Sequence, residues 1–332
     1  MLRPVSNPYI KAQMAIIAVM FGVIVASACN VDSNYTEKRN REVKAKNIIK
    51  QLTAMGGNET AADQKSKALI VDELMGIDSV TEIKAVRGYY TNMFNKAIEK
   101  IKTVNVANEC AVLKMIGQGY MVKTKNQIVA FNLISGNEYI QMDNRAMDNL
   151  SESVDVLIID NTIEERSDYR LAEMISQKKK PVVVLGDYWS SKPYSNGLTR
   201  IFSYGQGFDR VGDIEFKIIA RKRGGVHLER VLLIKSGEKN IVHIGYQLDE
   251  KNIEEMVNKL GSENIDIMLL SRMQENLDEI IAKTKPEMIL IGDEHEVGRS
   301  KDVDESYGSI MNKIDGRDNI SVITWGEVFN KL

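Results

Sequence analysis

Histidine and cysteine are scarce in this sequence, and their scarcity limits the metal chemistry available to it. There are three histidines and two cysteines, Cys29 and Cys110, among 332 residues. Two cysteines do not make a disulfide framework. Three histidines allow few zinc sites, because imidazole is the commonest ligand of a catalytic zinc ion.

A strong net charge is also missing. The formal charge is -2 and the pI is near 6.1, so no global field would attract nucleic acid, and we expect no nucleic-acid partner. The basic run at residues 178–180 follows a helical pattern and precedes Pro181, as expected of a solvated helix end. With 43% hydrophobic and 27% charged residues, the composition is that of a globular protein.

The first 29 residues have the pattern of a bacterial export signal. Arg3 and Lys11 precede an uncharged apolar segment, residues 12–28, and Ala26-Ser27-Ala28 lies directly before Cys29. This ending resembles a lipobox, in which the chain is cut before the cysteine and a diacylglycerol is attached to its sulfur. We therefore predict a lipoprotein of the bacterial cell envelope, held on the membrane at Cys29 and facing outside the cytoplasm.

Two other outcomes remain open for this segment. An apolar stretch of about seventeen residues is near the lower limit for crossing a bilayer, so the segment could stay attached as an uncleaved anchor. It could also be removed from a soluble exported protein. Each alternative places the rest of the chain outside the cytoplasm.

Residues 30–104 are predicted to be a helical segment. Helical patterns cover residues 33–55, 58–75 and 79–101. In the third, apolar residues from Val86 to Ile98 recur at three- and four-residue spacings, which predicts one buried face. That face either packs on the following domain or binds a protein partner.

Residues 105–332 form the predicted main domain, of the α/β class. Short strand patterns linked by turns are followed by strand-helix units, and this order occurs twice. The predicted strands are residues 110–115, 120–124, 127–134, 138–142, 154–160, 181–185, 214–220, 230–235, 240–245, 265–270, 288–291 and 320–324, and the predicted helices are residues 164–177, 274–282, 303–314 and 325–332. Two packed sheets with helices outside, a four-layer α/β/β/α sandwich, account for this order.

Polar motifs follow several of the predicted strands. They are Ile128-Val129-Ala130-Phe131-Asn132, Asp160-Asn161-Thr162-Ile163-Glu164-Glu165, His243-Ile244-Gly245-Tyr246 and Gly292-Asp293-Glu294-His295. In order and position, these motifs resemble the metallo-β-lactamase superfamily, particularly its broad branch of zinc hydrolases. The resemblance covers about residues 110–324 and implies the fold derived above.

The resemblance also implies that most zinc ligands have been replaced. Asn132 occupies the place of an aspartate that braces the metal loops. In the central His-x-His-x-Asp-His signature, the histidines and the aspartate are replaced. Asp160, Thr162 and Glu165 stand for the histidines, and Glu164 stands for the aspartate.

The later ligand positions depart from the family as well. Tyr246 replaces an aspartate that bridges two metals, and a phenol with a pKa near 10 is a poor bridge. The last histidine ligand corresponds to Asp293 or His295, two residues apart, and the remaining one corresponds at best to His227.

Two functions are compatible with these residues. The first is a pseudo-enzyme without a cofactor, which keeps the sandwich for a binding or interaction role. The second is a metal-dependent hydrolase whose site is rebuilt from Asp160, Glu164, Glu165, Asp293 and His295. Clustered carboxylates suit manganese, magnesium or calcium better than zinc. Whether the protein is an enzyme stays open at this point.

Overall fold

The computed structural model describes residues 35–55, 61–107, 109–160, 167–185, 198–200, 208–224, 227–292, 296–297 and 305–330. The helices are α1 (residues 35–55), α2 (Ala61–Met75), α3 (Lys84–Thr103), α4 (Asn144–Ser153), α5 (Tyr169–Gln177), α6 (Glu250–Leu260), α7 (Leu277–Thr284) and α8 (Tyr307–Lys313), with a 3-10 turn at Val80–Glu82. The strands are β1 (Ala111–Lys114), β2 (Tyr120–Lys123), β3 (Ile128–Phe131), β4 (Val156–Ile159), β5 (Val182–Val184), β6 (Leu198–Arg200), β7 (Asp209–Val211), β8 (Ile214–Gly224), β9 (His227–Ser236), β10 (Lys239–Ile244), β11 (Ile267–Leu270), β12 (Met288–Gly292), β13 (Ile320–Ile323) and β14 (Val328–Phe329).

The strands of the described ranges form two seven-stranded sheets. The first has the order β14-β1-β2-β3-β4-β5-β6 and the second has the order β13-β12-β11-β10-β9-β8-β7. Pairing is antiparallel from β14 to β3 and from β7 to β10, and it is parallel in the rest of each sheet. Parallel neighbours need crossover connections, which is why the strand-helix units follow the hairpins.

The two sheets pack face to face. Successive side chains of a strand point to opposite faces, and in the first sheet Phe131 and Ile158 lie in an inter-sheet core with Leu232 and Leu269 of the second. Residues of the opposite parity, such as Leu157, pack in the core under the helices. Helices α3 and α5 contact the first sheet, whereas α2, α6 and α8 contact the second. The predicted α/β/β/α sandwich is therefore confirmed, with helices preceding it.

The N-terminal helices pack on the sandwich. The predicted apolar face of α3 is buried, with Tyr90, Phe94, Ile98 and Ile101 each fully enclosed, and this helix contacts β1 and β14. Among the described residues no helix is long and apolar enough to cross a membrane. The predicted export segment, residues 1–29, lies outside the described ranges.

A buried carboxylate, Glu296, joins the N-terminal helices to the sandwich. Its Oε1 accepts a hydrogen bond from the hydroxyl of Tyr90 in α3 at 2.6 Å. Its Oε2 accepts from the hydroxyl of Tyr307 in α8 at 2.6 Å and from the backbone N–H of Trp325 at 2.7 Å. Donors of this kind are what a buried carboxylate needs to offset the loss of water.

The predicted strand at residues 138–142 is wrong. Asn137 organises a turn here, because its side-chain oxygen accepts hydrogen bonds from the backbone N–H groups of Tyr139 (2.9 Å) and Ile140 (2.8 Å). Side-chain bonds of this type compete with strand pairing. Strand-type pairing in this stretch consists of an isolated antiparallel bridge between Gly136 and Gln141.

The predicted helix at residues 325–332 is also wrong. Gly326 has a φ of 70°, a conformation that reverses the chain, and Phe329 then pairs with Val112 of β1 in antiparallel register. The apolar residues of this end therefore complete the edge of the first sheet as β14. A local helical pattern is overridden by pairing with a distant strand.

Helices α4 and α6 were not predicted, although each has an aspartate cap. Asp143 accepts a hydrogen bond from the N–H of Ala146 at 2.7 Å, and Asp249 accepts one from the N–H of Asn252 at 2.9 Å. Aspartate is among the favoured residues at this position because it satisfies a free N–H of the first turn. These caps are the sequence signals that would have identified both helices.

Candidate functional site

The motif residues that the structure describes lie at the carboxyl ends of the parallel strands. Asn132 and Asp160 directly follow β3 and β4, two neighbours in the first sheet. Gly245 and Tyr246 follow β10, and Ser271 follows β11, in the second sheet. In α/β sheets, ligands bind outside the carboxyl ends of the strands, so this edge is the candidate functional site.

Asn132 and Asp160 form a reciprocal pair. The amide Nδ2 of Asn132 donates to Asp160 Oδ1 at 2.6 Å, and the backbone N–H of Asp160 donates to Asn132 Oδ1 at 3.0 Å. Asn132 has a φ of 45°, in the left-handed region that asparagine enters more readily than most residues. The two motif positions are therefore joined by a hydrogen bond between a neutral amide and a carboxylate.

His243 completes this buried cluster from the opposite sheet. Its Nδ1 lies 3.2 Å from Asp160 Oδ2, and its ring is stacked on Phe131 at a centroid distance of 5.4 Å. The ring of Tyr120 meets it edge-on at 5.9 Å. The Asp160 carboxylate thus accepts from Asn132 on one oxygen and faces an imidazole nitrogen on the other, while Arg230 donates to its backbone carbonyl at 2.7 Å.

The other ring nitrogen of His243 is not hydrogen-bonded to any described residue. It is buried, and the whole residue has 0% exposure. An imidazole held by a carboxylate is the arrangement of a general base, but a base must come within hydrogen-bond reach of the proton that it takes. In this conformation the ring is enclosed between Phe131 and Tyr120, so it acts as a core residue.

Tyr246 is neutral in this environment. Burial raises the pKa of its phenol well above the ordinary value, and the nearby carboxylates Glu229 and Asp160 raise it further. Its hydroxyl is buried and has no hydrogen-bond partner among the described residues. Because bridging two cations requires an anionic ligand, the neutral phenol of Tyr246 does not reproduce the aspartate that the family resemblance assigns to this position.

The β1–β2 hairpin lies across the ends of the strands of the second sheet. Gln118 donates to the carbonyl of Gly245 at 2.5 Å, and the Tyr120 hydroxyl donates to the carbonyl of Leu270 at 2.7 Å. The same hydroxyl accepts from the N–H of Gly292 at 3.1 Å. Three successive strand ends are therefore bonded to one hairpin.

Lys114, at the end of β1, brings a long polar side chain to this edge. The residue is fully buried. Its Nζ donates to the carbonyls of Met115 (3.0 Å) and Gly117. The same nitrogen lies 4.7 Å from the centroid of the Tyr120 ring. A methyl group on Gly292 would overlap Lys114 Cε. A lysine inside an apolar strand is the sequence signal for this feature.

Several predicted site residues lie outside the described ranges. They are Cys29, Thr162, Glu164, Glu165, Asp293 and His295, and the side chain of His227 in β9 is not described either. The convergence of these residues on a rebuilt site therefore stays a prediction.

The described part of the site does not fit the dinuclear metal centre that the fold implies. Catalytic zinc takes about three protein ligands from imidazole, thiolate and carboxylate groups. Within the described ranges, no group of three histidine, cysteine, aspartate or glutamate side chains is placed to hold a metal ion. At the family positions that are described, Asp160 is hydrogen-bonded to Asn132 and Tyr246 is a neutral phenol.

Solved structures with similar folds were found by comparison. A possible metal-dependent hydrolase from Veillonella parvula has a TM-score of 0.52 and 11% identity, over 68% of this chain and 100% of that chain. The isothiocyanate hydrolase from Delia radicum gut bacteria has a TM-score of 0.51 and 11% identity, over 66% and 98%. The metallo-beta-lactamase fold protein YhfI from Bacillus subtilis has a TM-score of 0.47 and 11% identity, over 67% and 99%.

These comparisons identify the fold. No family model matches the sequence, and no curated protein matches it. At 11% identity the structural likeness shows the architecture alone, an α/β/β/α sandwich. The chain has the metallo-β-lactamase fold, as its motifs predicted.

Proposed function

We propose that this protein is a membrane-tethered pseudo-enzyme that uses the metallo-β-lactamase fold for a binding or interaction role outside the cytoplasm. The main observation behind the proposed loss of metal binding is the environment of Asp160. The family resemblance assigns this residue to the first histidine of the zinc signature. One of its carboxylate oxygens accepts from Asn132 and the other faces His243. A metal ion bound here would compete with these contacts in a buried site.

Two further features support this proposal. Tyr246, at the position where the family resemblance implies a bridging carboxylate, is a neutral phenol. The buried side chain of Lys114 fills the space beside Gly292, which directly precedes Asp293, one of the two candidates for the last ligand position. The first change removes a negative charge that would attract a cation, and the second occupies the strand end with an aliphatic chain that offers no metal ligand.

Metal analysis of the purified full chain tests the proposal. We expect far less than stoichiometric metal by elemental analysis, and no saturable heat on titration with zinc, manganese, magnesium or calcium. Stoichiometric binding that is lost in Asp160→Asn and in Asp293→Ala would contradict it. Asp148→Asn, an exposed change on α4, is the matched control.

The proposed attachment to the membrane is inferred from the sequence of the first 29 residues and needs its own test. We expect the wild-type chain to incorporate radiolabelled fatty acid in bacteria and to fractionate with membranes. Cys29→Ser should abolish the label. Cys110→Ala, a change of the buried free cysteine directly before β1, should retain it. Equal labelling of wild type and Cys29→Ser would show that Cys29 is not the lipid site.

A metal-dependent hydrolase with a rebuilt carboxylate-rich site is the second candidate. The similar structures from Veillonella parvula and Delia radicum gut bacteria are described as a possible metal-dependent hydrolase and an isothiocyanate hydrolase. This alternative requires Asp160, Glu164, Glu165, Asp293 and His295 to share a divalent cation. The metal titration described above separates it from the first proposal.

A further inference from the structure

A cavity of about 590 Å³ lies between the N-terminal helices and the edge of the first sheet. Its walls come from α1, α3 and the segment from Gly326 to Val328. It shares no lining residue with the carboxyl-edge site described above. Its volume is within the range of about 300–1,000 Å³ that small-molecule sites occupy.

One part of the cavity is apolar. Ile49 and Leu52 of α1 face Met93 of α3, and Val328 of β14 contributes on the sheet side. Such a surface favours the aliphatic portion of a ligand, because apolar area removed from water stabilises the complex.

Gly88 widens the cavity at the middle of α3. A Cβ atom built on this glycine would meet no atom within 4 Å. Glycine inside a helix costs about 1 kcal/mol relative to alanine. The helix therefore carries an intrinsically unfavourable residue at a position where any side chain would take up ligand space.

The other part of the cavity is positively charged. Lys67, Lys96, Lys100 and Glu327 are its charged lining residues. Lys67 pairs with Glu327, with 3.7 Å between Nζ and Oε1. Lys96 and Lys100 lie one turn apart on α3, and neither forms an ion pair with a described residue.

Tyr89 adds a neutral hydroxyl to this lining. Burial raises the pKa of its phenol well above the ordinary value, and the carboxylates of Glu296 and Glu327 raise it further. The hydroxyl therefore remains protonated and available as a hydrogen-bond donor. A donor and two ammonium groups together suit an anionic acceptor.

We propose that this cavity binds an amphiphile with a single apolar chain and an anionic head group, either carboxylate or phosphate. The head group lies at Lys96 and Lys100, and the chain follows Ile49, Leu52 and Met93. This site is separate from the carboxyl-edge site, so it goes beyond the proposed loss of metal chemistry and does not depend on it.

Calorimetry with four probes that share a twelve-carbon chain tests the head-group chemistry. Full-chain protein is titrated with dodecanoate, dodecyl phosphate, dodecanol and dodecyltrimethylammonium, each below its micelle concentration. We expect saturable binding of the two anions, weaker binding of the alcohol and the weakest binding of the cation. Tighter binding of one anion would identify the preferred head group. Failure of both anions, or equal binding of the cation, would overturn the proposal.

Two variants test the location. Gly88→Leu fills the cavity and replaces a poor helix former with a good one, so the fold should be retained while anion binding falls at least about tenfold. Lys96→Gln with Lys100→Gln should weaken the anions about tenfold or more and leave the alcohol unchanged. The matched control is Lys125→Gln with Lys251→Gln, two exposed lysines outside the cavity. Wild-type affinity in both cavity variants would contradict the site.

Discussion

Glu296→Ala is expected to lower the free energy of unfolding by about 3–5 kcal/mol, because each buried donor left without an acceptor costs about 1–3 kcal/mol. The carboxylate accepts from the hydroxyls of Tyr90 and Tyr307 and from the N–H of Trp325. Removing it leaves three donors in a site where Glu296 has 0% exposure. Urea unfolding followed by circular dichroism and by tryptophan fluorescence measures the loss.

Glu238→Ala is the matched control for this prediction. Glu238 is exposed in the turn between β9 and β10, so its loss should change stability by less than about 0.5 kcal/mol. A Glu296→Ala protein within about 1 kcal/mol of wild type would show that the hydrogen bonds of this cluster do not hold the helices on the sandwich.

Asn132→Asp, which restores the family's aspartate, is expected to destabilise this protein by about 2–3 kcal/mol near pH 8. The change removes the amide that donates to Asp160 Oδ1 at 2.6 Å and puts a second carboxylate in its place. Two carboxylates this close cannot both ionise without strong repulsion, so one pKa of the pair rises in the folded state. The estimate corresponds to a shift of about two pKa units at about 1.4 kcal/mol each.

The destabilisation should depend on pH in a defined direction. In the unfolded chain an aspartate titrates near pH 4. A carboxyl group whose pKa is raised by folding contributes its stability at low pH and loses it as the pH rises through that value. The difference between wild type and Asn132→Asp should therefore be small near pH 4 and should grow toward pH 8.

Asn132→Gly separates the effect of the added charge on stability from the effect of losing the amide group. Glycine accepts the φ of 45° at this position and removes the hydrogen bonds without adding a carboxylate. Its destabilisation should grow less with pH than that of Asn132→Asp, because no second carboxylate is added. An Asn132→Asp protein as stable as wild type at pH 8 would contradict the arrangement of Asn132 and Asp160 described here.

Much of the fold was predictable from local patterns. Buried strands such as β4 and β11 are short apolar runs, and the buried face of α3 is visible as a period of three and four residues. The positions of Asp160 and Tyr246 at strand ends were also predictable, whereas the predicted strand at residues 127–134 ran past Asn132, which follows β3 in the structure. Predictions from local patterns failed at two places. At Asn137 a side-chain hydrogen bond decided the conformation, and at β14 pairing with the distant strand β1 decided it.

The partners of the polar residues in the site were not predictable. Asp160 and His243 are separated by 83 residues, and Tyr90 and Glu296 by 206. The sequence shows that each of these side chains exists but not which one meets which. In the sequence, His243 is visible only as the start of a motif, and Lys114 only as part of a predicted strand.

The sequence by itself determined the two-sheet architecture and the loss of the zinc signature, because periodicity and residue identity are local properties of the chain. The tertiary structure alone decided that Asp160 is held by Asn132 and His243, that Lys114 lies beside Gly292, and that a cavity opens at Gly88. The physical reason is that hydrogen bonds, burial and charge act over a few ångströms in space. Those distances are set only when the sheets and helices pack.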